Sequence, residues 1–309
     1  MTVVSRRPGP PLGGLVRAIT YQAGEQPRAS VEKILPGPGA SLWVNLNQDE
    51  FRSYSGTGRV IRVPGAMLAG PTSRAAVIEF EQGRAHVSVT FAPGATACFF
   101  ASPVDLARDR QVPLADVWGG PGGSLRERLL EAATPHAALD VMEDVLLSSL
   151  RGTPDPMIMA AGGALSAGVP VGEVAAGLGV LPRTLRRRFT AQVGLSPKRF
   201  ARVQRLQRVV RDLDGVDQVD WAAVAARHGY ADQPHLVHEF RQLVGVTPTQ
   251  YLRSRMNGPN HLRVTGVDVD EPPGVPACDQ HDRAGRTGDQ PGGLGIIRVA
   301  GTIGHSGSE

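Results

Sequence analysis

Two stretches decide how this chain is read. One is Phe189-Thr-Ala-Gln-Val-Gly-Leu-Ser-Pro-Lys-Arg-Phe200; the other is Phe240-Arg-Gln-Leu-Val-Gly-Val-Thr-Pro-Thr-Gln-Tyr251. Both follow F-x-x-x-V-G-[LV]-[ST]-P-x-x-[FY], at an offset of 51 residues. Upstream of each, Val174-Ala175…Gly179 matches Val224-Ala225…Gly229 at an offset of 50. Two multi-point matches at nearly one offset mark a duplicated unit, and two copies make a tandem pair rather than a solenoid.

Each copy reads as helix, tight turn, helix. In the first, Val171, Val174, Ala175 and Leu178 share one face of a short helix, and small Ala175 lets a second helix cross closely. Gly179 supplies the turn residue tolerant of positive φ. A second helix is predicted from about Pro182 to Ala191, with proline accepted in its first turn. Leu185 and Phe189, at i and i+4, face the core, and the outer face holds Arg183, Arg186, Arg187 and Arg188. In the second copy Val224 and Ala225 face inward and Gly229 turns the chain. A helix from about Asp232 buries Leu236 and Phe240 and exposes Gln233, His235, His238 and Arg241. This arrangement is the one that places a second helix in a DNA major groove.

Between the copies, a helix is predicted over Pro197 to Leu213. Its buried stripe is Phe200, Val203, Leu206, Val210 and Leu213, flanked by Arg199, Arg202, Arg205, Arg208 and Arg211. At ~1.5 Å per residue it spans ~25 Å. With the two packed units, that sets the recognition helices near the ~34 Å of one DNA turn. A plain helical bundle with glycine caps is the competing explanation. It needs neither arginines gathered on the outward face of one helix nor G-[LV]-[ST]-P twice at the same distance from Phe.

Charge follows the same division. Residues 1–150 carry 14 basic and 14 acidic side chains, residues 151–257 carry 15 and 8, and residues 258–309 carry 4 and 7. All but one of the basic residues in the middle segment are arginine, whose guanidinium makes paired hydrogen bonds to phosphate or a guanine edge. A neutral segment joined to an arginine-rich one points to nucleic acid at the second; a solvated arginine-rich surface is the bland alternative.

The remaining chain is less regular. Ser41–Leu46, Arg59–Val63, Ala75–Phe80 and His86–Phe91 are short apolar runs between Gly/Pro turns, so residues 1–118 are expected to form a small β sandwich or barrel. Residues 119–150 change to a helical period. Leu125, Leu129 and Ala132 share one face; Leu139, Met142, Val145, Leu146 and Leu150 share another after a Thr134-Pro135 start. These faces pack on the β domain or on a second copy, and a homodimer is the expectation. Residues 151–156 read as a linker, 157–256 as helical throughout, and 257–309 as a disordered tail. The fold class expected is therefore multidomain α+β.

Composition excludes several classes. The 309 residues are 41% hydrophobic, too apolar for a wholly disordered chain. Cys98 and Cys278 are the only cysteines, which rules out a disulfide scaffold and a four-cysteine zinc site. The first twenty residues hold no apolar run fit for a signal peptide, and no stretch is long enough for a membrane span; a cytoplasmic location is expected.

The segment Ala175 to Pro197 contains A-x-x-x-G-V…L-x-x-x-F-x-x-x-x-G-L-S-P, and Ala225 to Pro248 contains A-x-x-x-G-Y-x-D-Q…L-x-x-x-F-x-x-x-x-G-V-T-P. On these residues the chain resembles the AraC/XylS family of bacterial transcription regulators over about 157–256. The resemblance implies a seven-helix DNA-binding domain with two helix-turn-helix units. It implies base contacts from Arg183, Arg186 and Arg187 in the first unit and from Gln233, His235 and His238 in the second. It implies double-stranded DNA and RNA polymerase as partners. Two departures stand out: Pro234 within the second helix, and His238 where arginine is frequent in the family. They suggest weaker or more pH-dependent binding through the second unit. Leu42–Leu46, Gly70-Pro71, Phe91–Ala95 and Leu114–Gly119 are similar to a small β domain that precedes such domains, which implies a sensor for a small-molecule effector. Trp43, Phe80, Phe91, Phe99 and Phe100 line a pocket there or, the favoured use, fill the core.

Other chemistry is weakly supported. His235 and His238 lie i, i+3 but have no third ligand at usable spacing, so no metal or cofactor is expected. No nucleophile elbow, phosphate loop or dinucleotide fingerprint is present. Asp212, Asp214, Asp217 and Asp220 read as a solvated loop. One alternative is a DNA-alkylation repair methyl acceptor, which would need an activated thiolate at Cys98, inside the apolar run Ala97–Phe100. Another is an interaction protein that has lost specific DNA binding.

Overall fold

The computed structural model describes residues 2–24, 30–55, 59–80, 84–216, 218–256 and 258–264. Phe80 and Arg84 lie within strands, but their side chains fall outside the description.

The strands are β1 (Thr2–Arg6), β2 (Val16–Gly24), β3 (Ser30–Ile34), β4 (Ser41–Asn45), β5 (Glu50–Tyr54), β6 (Val60–Pro64), β7 (Ala66–Ala69), β8 (Ala76–Phe80), β9 (Arg84–Phe91) and β10 (Gln111–Pro113). The four runs read from the sequence are β4, β6, β8 and β9. One sheet has the order β1-β2-β9-β4-β7-β10. Period-two burial explains its core: Leu42 and Val44 on β4 and Val87, Val89 and Phe91 on β9 are all buried, and the residues between them, Trp43, Ser88 and Thr90, are half-buried or exposed. Phe99 and Phe100 pack onto Phe91, and Trp118 stacks on Phe100 with centroids 5.0 Å apart. Core packing is thus what Phe91, Phe99 and Phe100 do, while Phe80 lies outside the described side chains.

Helices α1 (Leu114–Trp118), α2 (Gly120–Gly123), α3 (Leu125–Leu130) and α4 (Pro135–Ser149) follow. Thr134 caps α4 by accepting from the Ala137 amide, as its Thr-Pro start predicted. Leu139, Met142, Val145 and Leu146 are buried in the same core as β2, β4 and β9. The helix faces from which self-association was expected are therefore covered by the chain's own sheet.

Seven more helices are described: α5 (Pro156–Ala167), α6 (Val171–Gly177), α7 (Pro182–Val193), α8 (Pro197–Asp212), α9 (Trp221–Arg227), α10 (Gln233–Val244) and α11 (Pro248–Ser254). Their core contains Leu185, Phe189, Phe200, Val203, Leu206, Val210, Leu236 and Phe240, as the periodicity predicted. Gly179 and Gly229 turn the chain at φ 65° and 71°, the left-handed conformation for which glycine was read there. No described helix is long and apolar enough to cross a membrane.

The expected disordered tail needs correcting at its start. After α11 the chain forms β11 (Arg255–Met256) and β12 (Gly258–Arg263), and β12 pairs antiparallel with β3. The second sheet thereby has the order β11-β12-β3-β8-β5-β6. A polar segment with no period of its own is ordered here by ladder hydrogen bonds to a distant strand. Leu262 is buried, and His261 Nδ1 lies 2.8 Å from Glu32, which is itself buried. Residues 257 and 265–309 of that tail lie outside the described residues.

The 151–156 segment is short and anchored. The Arg151 amide donates to the Cys98 carbonyl at 2.7 Å, and Asp155 caps α5 through the Met157 amide. The β and helical parts pack directly. Leu35, at the end of β3, is buried in the helical core, and the Ala75 amide donates to the Leu243 carbonyl of α10. Gly194, after α7, lies so close that an added Cβ would stand 2.5 Å from Pro71 Cγ.

Candidate nucleic-acid interface

Helix α7 places its apolar and cationic residues on opposite sides. Leu185 and Phe189 are wholly buried, with Phe189 edge-on to Phe200 at 5.2 Å. Arg183, Arg186, Arg187 and Arg188 are exposed. They are not equivalent. Arg188 and Gln192 both donate to Asp155, which ties this flank to the start of α5. Burial opposes the Asp155 charge, but the hydrogen bonds from Arg188, Gln192 and the Met157 amide outweigh it and hold the carboxyl below its usual range. Three of the four arginines thus stand outward: Arg183, Arg186 and Arg187.

Helix α10 is braced more heavily. Asp232 caps it through the His235 amide at 2.7 Å, while Pro234 sits in the first turn, where no amide is required. Proline there costs the helix no backbone hydrogen bond. Leu236 and Phe240 are wholly buried. Buried Glu239 is clasped by two arginines of α8: Arg202 Nε donates at 2.9 Å, and Arg205 donates through Nε and Nη2 at 3.1 and 2.7 Å. Arg205 also donates to the Gly229 carbonyl and lies over the Tyr230 ring at 4.2 Å. Burial pushes the Tyr230 hydroxyl well up, and Glu239 adds to the effect. This clamp is not legible in the sequence of α8, where Arg202 and Arg205 are only the flanks of an apolar stripe. An acidic residue on the buried side of a recognition helix was the available signal.

The three residues singled out on α10 are placed unequally. Gln233 and His238 are exposed. His235, expected to be exposed, is half-buried: its Nδ1 accepts from the Ala231 amide, and its ring stands edge-on to Tyr230 at 5.4 Å. His238 Nε2 lies 2.8 Å from Gln242 Nε2, and Arg202 Nη2 donates to Gln242 Oε1 at the same distance. Both histidines therefore already have local partners, which disfavours them as a metal pair. Of the acidic loop, Asp220 caps α9, Asp212 pairs with His228 at 3.1 Å, and Asp217 lies outside the described residues.

A family model described as a helix-turn-helix domain matches residues 174–254, a span that holds both units. The chain carries an AraC-type DNA-binding domain. The chain is accordingly a DNA-binding transcriptional regulator. Its residues 5–113 match a second model, described as a domain of unknown function (DUF6597). No curated protein matches the regulator. Among solved structures, ToxT from Vibrio cholerae is 9% identical with a TM-score of 0.43, over 76% of this chain and 98% of that one. ToxT bound to (E)-4-(8-methylnaphthalen-1-yl)but-3-enoic acid is 10% identical with a TM-score of 0.44, over 76% and 98%. The AraC-like transcriptional activator CuxR is 13% identical with a TM-score of 0.20, over 67% and 86%. Those scores are too low to carry residue roles or ligands across.

A cavity of about 1120 Å³ lies where the two sheets meet the DNA-binding domain. Trp43, Tyr54, Arg52, Glu79 and His86 line it from the strands; Arg202, Val203, Gln242 and Leu243 line it from α8 and α10. Trp43 and His86 pack with centroids 5.0 Å apart, and Arg52 pairs with Glu50 and Glu79. Trp43 is thus a cavity residue, unlike Phe91, Phe99 and Phe100. Cys98 is buried elsewhere, in the core, and burial pushes its thiol up, away from the thiolate that methyl acceptance requires.

Proposed function

We propose that the regulator reads two successive major grooves of one DNA duplex. Helix α7 reads the first through Arg183, Arg186 and Arg187, and α10 reads the second through Gln233 and His238, with His235 fixing the start of the helix. The observation that carries this reading is the two-sidedness of α7: three exposed arginines on a helix whose other side wholly buries Leu185 and Phe189. Guanidinium forks suit guanine O6 and N7, and a glutamine amide suits adenine N6 and N7. RNA polymerase is the partner that a bound regulator would meet at a promoter. The test is selection from random duplex DNA with the full chain. A bipartite sequence should emerge, with Arg186→Ala relaxing one half and Gln233→Ala the other. Relaxation of the same positions by both variants would contradict it.

A second element of the reading is modulation by a small molecule in the cavity. Arg202 and Gln242 support it, because they line the cavity and also hold Glu239 and His238 of α10. An occupant that draws Arg202 toward itself loosens the brace on the second recognition helix. A thermal-shift screen of small polar and aromatic compounds on the full chain should find binders whose effect is lost in Trp43→Ala. Binders indifferent to Trp43 would place the effector elsewhere.

A further inference from the structure

The helix α7 begins with an anomaly. Its N-cap is Leu181, which corresponds to Asp232 in the second copy at the same offset of 51 residues. Asp232 accepts from the His235 amide, whereas Leu181 offers no cap. Ser, Thr, Asp or Asn is preferred at such a position, and leucine forgoes the side-chain bond. Leu181 is also 58% exposed, the highest value among the exposed large hydrophobic residues described. One unit of the tandem pair thus carries an uncapped, solvent-facing leucine two residues before outward Arg183, where its twin has a satisfied carboxylate.

We infer that Leu181 is a base-reading residue that packs on the C5 methyl group of a thymine. The inference rests on the reading of α7 as a groove-entering helix. The N-terminal residues of such a helix are those that meet base edges. The major groove is a field of donors and acceptors with one apolar feature, the thymine methyl. A leucine there has nothing polar to offer and gains only from that group. The first unit therefore reads a thymine beside the guanines assigned to its arginines, and the second unit lacks this contact.

The experiment uses the full chain and a duplex selected by it from random DNA. Each thymine of the selected site is replaced in turn by uracil, which removes the methyl group and leaves the hydrogen-bonding edge intact. Affinities are measured for the wild-type chain and for Leu181→Ala, with a thermal melt to show that the variant is folded. One thymine should cost the wild type about four-fold on conversion to uracil, ~0.8 kcal/mol at 1.4 kcal/mol per decade, and cost Leu181→Ala nothing. Leu181→Ser, which restores a cap, should melt no lower than wild type and should also ignore that methyl group. A selected site at which no uracil separates wild type from Leu181→Ala overturns the inference alone. Failure to select any sequence overturns the DNA reading, and this proposal with it.

Discussion

The two helix-turn-helix units descend from one pattern but are held differently. In the first, α7 starts without a side-chain cap and presents Arg183, Arg186 and Arg187 outward; its one described charged tie is from Arg188 to Asp155. In the second, α10 is capped by Asp232, clasped at Glu239 by Arg202 and Arg205, and joined to the cavity wall through Gln242. The same duplicated core, Leu185 and Phe189 against Leu236 and Phe240, thus supports a charged reader in one copy and a braced one in the other. Backbone pattern sets where a recognition helix lies; the polar residues behind it set whether another part of the molecule can act on it.

The sharpest way to break this contrast is at Glu239. Glu239→Ala leaves two arginines facing a buried void, and a loss of ~3–5 kcal/mol is expected in denaturant unfolding. A loss under ~1 kcal/mol would mean that the second unit is no more braced than the first. Next in size, Arg186→Ala should cost ~1–3 kcal/mol in DNA affinity and relax one base position. Arg208→Ala is its control: Arg208 Nη1 donates to the Ser166 carbonyl, so sequence preference should not move. A changed preference there would refute the assignment of faces.

Much of this was legible from the sequence, for a local reason. Val174, Ala175, Gly179, Leu185 and Phe189 recur about fifty residues on as Val224, Ala225, Gly229, Leu236 and Phe240, and helix burial depends on spacing within a few turns. What escaped is nonlocal. Strand β12 gains its order from β3, more than two hundred residues earlier, and its own polar sequence carries no period. Arg202 and Arg205 looked like solvated flanks because their partner, Glu239, lies a helix and a turn away. His235 looked exposed because its bond to the Ala231 amide depends on how the turn before α10 closes.

Smaller effects sharpen the comparison further. Asp232→Ala should destabilise the second unit by ~1 kcal/mol through its lost cap. An equal loss of DNA affinity without loss of stability would make Asp232 a DNA contact instead. Acid should act through His228. Burial lowers its pKa, partly offset by Asp212, so the unfolded chain takes up a proton more readily than the folded one. The stability this group contributes is present above the unfolded value of ~6.5 and is lost as pH falls from there through the lower folded value. Melting temperatures between pH 8 and 5 should fall more steeply for wild type than for His228→Gln; parallel curves would place the acid sensitivity elsewhere.

The central claim is that both recognition helices grip one side of a single duplex. Hydroxyl-radical footprinting of the full chain on its selected site tests it most directly. Two protected patches are predicted on the same face of the helix, centred ~10 bp apart. A single patch, or two patches on opposite faces, would contradict the account.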